Sequence, residues 1–176
     1  MPRFDDIYEI AADNYGVITS AEARQAGVTT VEMARFVSDG RLERIGQGVY
    51  RLTRHIPTHL DQYAVAVALA GPGSYIHGES VLAMHNLALV NPMKTSVAVI
   101  KRTRRTLPKW ISIVAANRSD TSTAYEGIPS QSVTDAILYC KRSVMKERLL
   151  DAVHAAVREG LIRQVDEVTL REELEK

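Results

Sequence analysis

The stretch from Thr19 to Leu52, TSAEARQAGVTTVEMARFVSDGRLERIGQGVYRL, constrains the fold more than any other part of the chain. It opens on Thr19-x-x-Glu22, the spacing of a capping box, in which hydroxyl and carboxylate satisfy the free amides of a helix's first turn. A second box, Thr29-x-x-Glu32, begins seven residues after Glu22. Between them Gly27 suits the left-handed conformation that ends a helix. The pattern predicts two short helices joined by a tight turn, a helix-turn-helix. The second helix is expected to end at Gly40. Two short strands then follow, Leu42 to Ile45 and Val49 to Leu52, hinged at Gly46-Gln47-Gly48, whose glycines tolerate the positive φ of a hairpin turn. A helix pair backed by a small hairpin is a winged helix.

Upstream, Phe4, Ile7, Tyr8 and Ala11 recur at the helical period and predict a helix from about Phe4 to Asn14, with Val17-Ile18 as an extended link. Downstream, Thr53 to Pro57 reads as a hinge, and Thr58 caps a buried helix from His59 to Ala70 that stops at Gly71-Pro72. Ser74 to His77 is a short strand and Glu79 to Leu87 a helix. Thr95 to Ile100 and Ile111 to Ala116 are β-rich runs. Ser119 to Thr123 is a polar loop, and Tyr125 to Pro129 a last extended piece. Helices near Val133–Cys140, Val144–Glu159 and Glu167–Glu175 finish the chain; in the middle one Leu149, Val153 and Val157 recur every fourth residue. The fold class is therefore α+β. It comprises a winged helix-turn-helix over residues 1–55 followed by a small mixed α/β domain over residues 56–176.

Charge is uneven although the net value is only +1. Residues 1–54 hold seven arginines against eight acids, yet Arg35, Arg41, Arg44, Arg51 and Arg54 gather on the second helix of the motif and the wing. No acid occurs from Ser80 to Ser119, where Lys94, Lys101, Arg102, Arg104, Arg105, Lys109 and Arg118 lie. From Asp120 onward eleven acids face eight bases. A basic middle and an acidic end is an asymmetry with consequences for partners.

Met33, Phe36 and Val37 share one face of the second motif helix and should pack inward. Thr30, Val31, Arg35 and Ser38 are left on the opposite side, the face a recognition helix lays in a major groove. There Arg35 can take guanine O6 and N7 in bidentate fashion. Thr29 and Thr30, at the helix N-terminus, suit phosphate. Arg44, Gln47 and Arg51 on the wing would reach backbone or minor groove. Glu32 either caps its helix or accepts from cytosine N4. The loop Lys101 to Lys109 reads as a solvated hairpin tip. Alternatively, through Lys101, Arg102, Arg104 and Arg105, it is a second contact with DNA phosphate or an acidic partner. Trp110 at its end is expected as a core or strand anchor.

Other chemistries find little support. His77, Glu79 and His85 lack the spacing of a metal site, so no metal or cofactor is expected, with Glu79 capping a helix start. Between Asp61 and Asp120 the only further carboxylate is Glu79, and no phosphate-cradling glycine loop occurs, which leaves an enzyme without candidate groups. The lone Cys140 sits in an apolar helical stretch, as a packed thiol would in a reducing cytoplasm. No apolar run nears the ~20 residues needed to cross a bilayer, and no signal peptide opens the chain.

The pattern AxxAGV, a short helix with FV, and GRLERIGQGVYRL resembles the N-terminal domain of the AbiEi-type antitoxins of bacterial abortive-infection systems. Tyr75-Ile-His-Gly-Glu-Ser-Val-Leu-Ala-Met-His-Asn-Leu and Glu126-Gly-Ile-Pro are similar to later segments of that family, and the wing sequence Gly-Val-Tyr-Arg-Leu is the most specific part. The resemblance implies a transcriptional repressor of its own operon, bound to promoter inverted repeats as two copies on double-stranded DNA. It also implies a second domain that helps neutralise a nucleotidyltransferase-like toxin. Two alternatives remain open from the residues alone. One is a stand-alone regulator whose second domain senses a ligand, and the other a protein-interaction module whose winged helix never touches DNA. The acidic end, with Leu170 and Leu174 four apart, either packs back on the domain or faces a basic partner.

Overall fold

In a computed structural model, residues 2–101 and 103–176 are described. The chain divides into two compact units, Met1–Pro72 with Thr103–Pro108, and Gly73–Arg102 with Lys109–Lys176.

The first unit runs α1 (Pro2–Asp13), β1 (Val17–Thr19), α2 (Ser20–Gln25), α3 (Thr30–Ser38), β2 (Leu42–Gly46), β3 (Val49–Leu52) and α4 (Asp61–Ala70). Both capping boxes form. Thr19 accepts from the Glu22 amide and Thr29 from that of Glu32, each glutamate bonding back to the N-cap amide. Gly27 and Gly40 take φ of +80° and +71° at the two helix exits, where an L side chain would be strained. The strands make an antiparallel sheet of order β1-β3-β2. Its pairs Leu42↔Leu52 and Arg44↔Tyr50 lie on one face and Glu43↔Arg51 on the other. The first face covers a core of Ile7, Ile18, Met33, Phe36, Leu42, Tyr50 and Leu52.

Val17 and Val49 on the opposite face are fully buried, β1 meets α4, and a Cβ on Gly46 would collide with the Leu69 side chain. Only Gly48 of the two wing glycines has positive φ; Gly46 is a glycine for space, at an irregularity in the β2–β3 register. The segment Thr53 to Pro57, expected as a hinge, is anchored. His55 packs against Gly16 and its Nε2 lies 2.8 Å from Asp61 Oδ2. Thr58 donates both its amide and its hydroxyl to Asp61 Oδ1. It does not cap α4 as expected: the helix starts two residues later than His59, with Leu60 at its N-cap and no side-chain cap. The first unit thus continues past residue 55 to include this helix.

The second unit holds β4 (Tyr75–Ile76), α5 (Glu79–Met84), β5 (Thr95–Val99), β6 (Ile111–Ala115), β7 (Ser122–Tyr125), β8 (Ile128–Gln131), α6 (Val133–Tyr139), α7 (Lys146–Arg158) and α8 (Gln164–Glu175). Sheet order is β6-β5-β4-β8-β7. The β5–β6 and β4–β8 pairs are parallel, the others antiparallel. The loop between β5 and β6 is therefore a crossover and no hairpin tip. Apolar alternation marks both strands but carries no information on their direction. The polar run ending at Thr123 contributes to a strand, because β7 is an exposed edge whose Ser and Thr need no apolar partner. It turns into β8 through Glu126-Gly127, both left-handed, the geometry of a two-residue hairpin. Leu149 and Val153 of α7 and Leu170 and Leu174 of α8 are buried, so the acidic end packs back on its own unit.

Candidate nucleic-acid interface

Helix α3 is held by one side only. Met33 and Phe36 are buried in the core while Thr30, Val31, Ala34, Arg35 and Ser38 form an exposed stripe, with Val31 79% exposed. An apolar side chain that open on a regular helix has no folding role of its own. Arg35 Nε lies 3.7 Å from Asp39 Oδ2, an exposed pair one turn apart. Such a pair contributes only about 0.3–0.5 kcal/mol. A bidentate guanine contact discriminates by about 1–3 kcal/mol, so the tether would yield to a base edge.

At the N-terminus of α3, Thr29 and Glu32 are occupied with each other. The Thr29 hydroxyl donates to Glu32 Oε2 at 2.8 Å and accepts from the Glu32 amide at 3.2 Å. Of the two roles open to Glu32, capping is the one it fills. Thr30 is exposed beside it.

The wing splits the remaining candidates. Arg44 lies on the helix-facing side of the sheet, opposite Tyr50, and its Nε donates to the Gly46 carbonyl at 3.3 Å. Gln47 is exposed at the turn. Arg51 is on the other face, where its Nη2 donates to Glu43 Oε2 at 2.8 Å. The fold does not bring Arg51 to the α3 side. Arg41 is likewise engaged, its guanidinium 4.8 Å from the Phe4 ring centre.

Sequence reasoning missed Arg24. It is exposed on α2 and lines a cavity of about 250 Å³ with Ser20, Thr29, Thr30 and Tyr50, directly beside the start of α3. The only signal was a cation on the first motif helix, easily passed over when five others cluster further on.

With this geometry in place, a comparison with family models is informative. Residues 5–53, from α1 to the end of β3, match the model described as Transcriptional regulator, AbiEi antitoxin. The match covers the winged-helix segment alone. No curated protein matches the sequence. That segment is thus similar to a family of transcriptional regulators.

The cationic crossover adds less than its sequence suggested. Arg105 Nη1 donates to the carbonyls of Ala68 and Leu69 at 3.4 and 3.3 Å, satisfying the end of α4. Lys101 and Arg104 are exposed, and Arg102 lies outside the described residues.

In the second unit, His77 is buried edge-on to Tyr139 at 4.4 Å, with Nε2 3.6 Å from Asp120 Oδ2. The same carboxylate accepts from Tyr75 at 2.7 Å and Gln131 at 3.1 Å, and Gln131 accepts from the Gly78 amide at 3.0 Å. Burial lowers the His77 pKa, and Asp120 opposes the shift. His85 packs on Tyr125, its pKa pushed down to about 4 by burial. Glu79 stands in the first turn of α5 but makes no cap; Gly78 precedes it with no side chain to offer. Trp110, expected as a buried anchor, is 38% exposed at the entry to β6. Cys140 is buried, its thiol raised to about 12 by loss of solvent and by Glu79. Among the described residues no three His, Cys, Asp or Glu side chains are grouped to hold a metal, and no helix is long and apolar enough to cross a membrane.

Proposed function

We propose that this protein is a sequence-specific DNA-binding repressor that serves as antitoxin of an AbiE-like toxin–antitoxin operon and autoregulates its promoter. One observation carries the reading: the open stripe of Thr30, Val31, Arg35 and Ser38 on α3, next to a β-ribbon and within a segment matching a family of transcriptional regulators. In this reading Arg35 takes a guanine edge, and the amides at the start of α3, with Thr29, Thr30 and Arg24, hold phosphate. Arg44 and Gln47 bring the wing to the backbone, while Arg51 contributes only if Glu43 releases it. Inverted repeats call for two copies on the duplex. Residues 1–55 carry DNA binding. Residues 56–176 act in the cytoplasm toward a nucleotidyltransferase-like toxin.

Titration of the protein on its own promoter against salt tests the first half. Sequence-specific binding should weaken steeply as salt rises, with a log–log slope of about −0.9 per phosphate contact. Arg35→Ala should relax specificity, whereas Arg44→Ala should weaken all sequences alike. If both substitutions lower specific and non-specific binding equally, α3 is not the reading helix. Rescue of growth on co-expression with the toxin encoded beside it tests the second half, and an unrelated neighbouring gene would remove it.

A further inference from the structure

Strand β6 closes one side of the second unit's sheet. Its sheet neighbour is β5. In their parallel register Trp110 O accepts from the Thr95 amide at 2.8 Å and Ala116 N donates to Val99 O at 3.0 Å. The alternation of a strand then turns the N–H and C=O groups of Ile111, Ile113 and Ala115 outward. From Trp110 to Asn117 there is no charged residue and no proline, the two commonest means of blunting an edge. Ile113 and Val114 are half-buried and Ala115 is exposed.

Cations stand at both ends of this uncharged strand. Because Thr95 pairs with Ile111 and Val99 with Ala115, Lys94 and Lys109 fall at one end of the β5–β6 pair and Lys101 and Arg118 at the other. All four are exposed, and no Asp or Glu occurs between Ser80 and Ser119 to neutralise them. We propose that β6 accepts an extended segment of an acidic partner protein as a sixth strand, uncharged in its middle and carrying Asp or Glu at both ends. The backbone ladder would supply affinity and the end charges selectivity. A second copy of this chain fits worse. An antiparallel pair of copies centred on Ile113 would set Lys109 opposite Asn117 at both ends, one residue from the partner's Arg118, so like charges would crowd each end of the ladder. Five residues of strand span about 16 Å, which sets the separation of the acids on the guest. This inference stands apart from DNA binding and survives or fails without it.

Trp110, the sole tryptophan, reports on the site directly. The full-length protein is titrated with the acetylated, amidated peptide EETVTVTEE, and Trp110 emission is followed. A saturable shift is expected, weakened about tenfold between roughly 0.05 and 0.5 M salt. The peptide KKTVTVTKK should give no shift. Two further versions carry N-methyl groups, one on the alternate amides of a single edge and one on every amide, and only the first, which keeps a free edge for β6, should bind. Lys109→Glu with Arg118→Glu should reverse the preference between the acidic and basic peptides while leaving the circular dichroism unchanged. The proposal is overturned by absence of a saturable shift, by equal binding of both N-methylated peptides, or by equal binding of the acidic and basic ones. It is also overturned by a concentration-dependent dimer that shifts Trp110 without peptide, which would assign the edge to a second copy.

Discussion

In the first unit, the polar groups at helix starts are satisfied by residues three positions away: Thr19 by Glu22, Thr29 by Glu32, Thr58 by Asp61. In the second, Tyr75 reaches Asp120 across 45 residues and Gly78 reaches Gln131 across 53. The first arrangement leaves one helix face uncommitted and open to solvent. The second draws its polar side chains inward, where they fix how β4, β8 and the loop before β7 meet. Local satisfaction frees a surface for recognition, whereas long-range satisfaction makes a scaffold that tolerates little change.

Four measurements would break or sharpen this contrast, with Trp110 emission following the second unit alone. Asp120→Ala strips the partner from Tyr75 and Gln131 at once and should lower second-unit stability by about 4 kcal/mol in urea unfolding. A loss below about 1 kcal/mol would show that the network is dispensable. Acid should come next. Burial favours the neutral His85 ring, so the unfolded chain takes up the proton first, near pH 6.5. The stability His85 contributes is whole above that pH and falls by up to about 3 kcal/mol toward pH 4, with His77 acting in the same direction. His85→Phe should flatten the Trp110-detected profile, and an unchanged profile would assign the loss elsewhere.

In the first unit, Gly46→Ala should cost about 2 kcal/mol through the collision with Leu69, and adding Leu69→Ala should return part of it. Additive losses in the double variant would argue against that contact. Smallest is Thr29→Ala, at about 1 kcal/mol for one lost cap, read by faster hydrogen exchange of the α3 amides. An effect spreading to Trp110 would contradict the separation drawn here.

The same contrast explains what could be read from the residues in advance. The boxes, the turn glycines and both motif helices lie within a few positions of the residues that determine them, and they form as expected. The inward and outward sides of α3 followed from the 3.6-residue period. The side of the sheet that Arg51 occupies was equally local in origin, but it required the β2–β3 register, which a bulge near Gly46 obscures. The parallel pairing of β5 with β6 depends on the path of the loop between them, which periodicity does not report. The strand in Ser122–Tyr125 is local but polar, an exposed edge with no apolar alternation to mark it. Asp120 looked like the start of an acidic tail; only folding makes it the hub of Tyr75, His77 and Gln131.

Arg105 ties the winged-helix unit to the order of synthesis. The carbonyls of Ala68 and Leu69 end α4, and the guanidinium that bonds them arrives more than thirty residues later along the chain. A ribosome that has released the chain only as far as Pro72 has delivered every strand and helix of that unit but not the group that closes its last helix. A recombinant fragment cut at Pro72 would begin life with the same frayed end. One extended to Pro108 would carry its own closure.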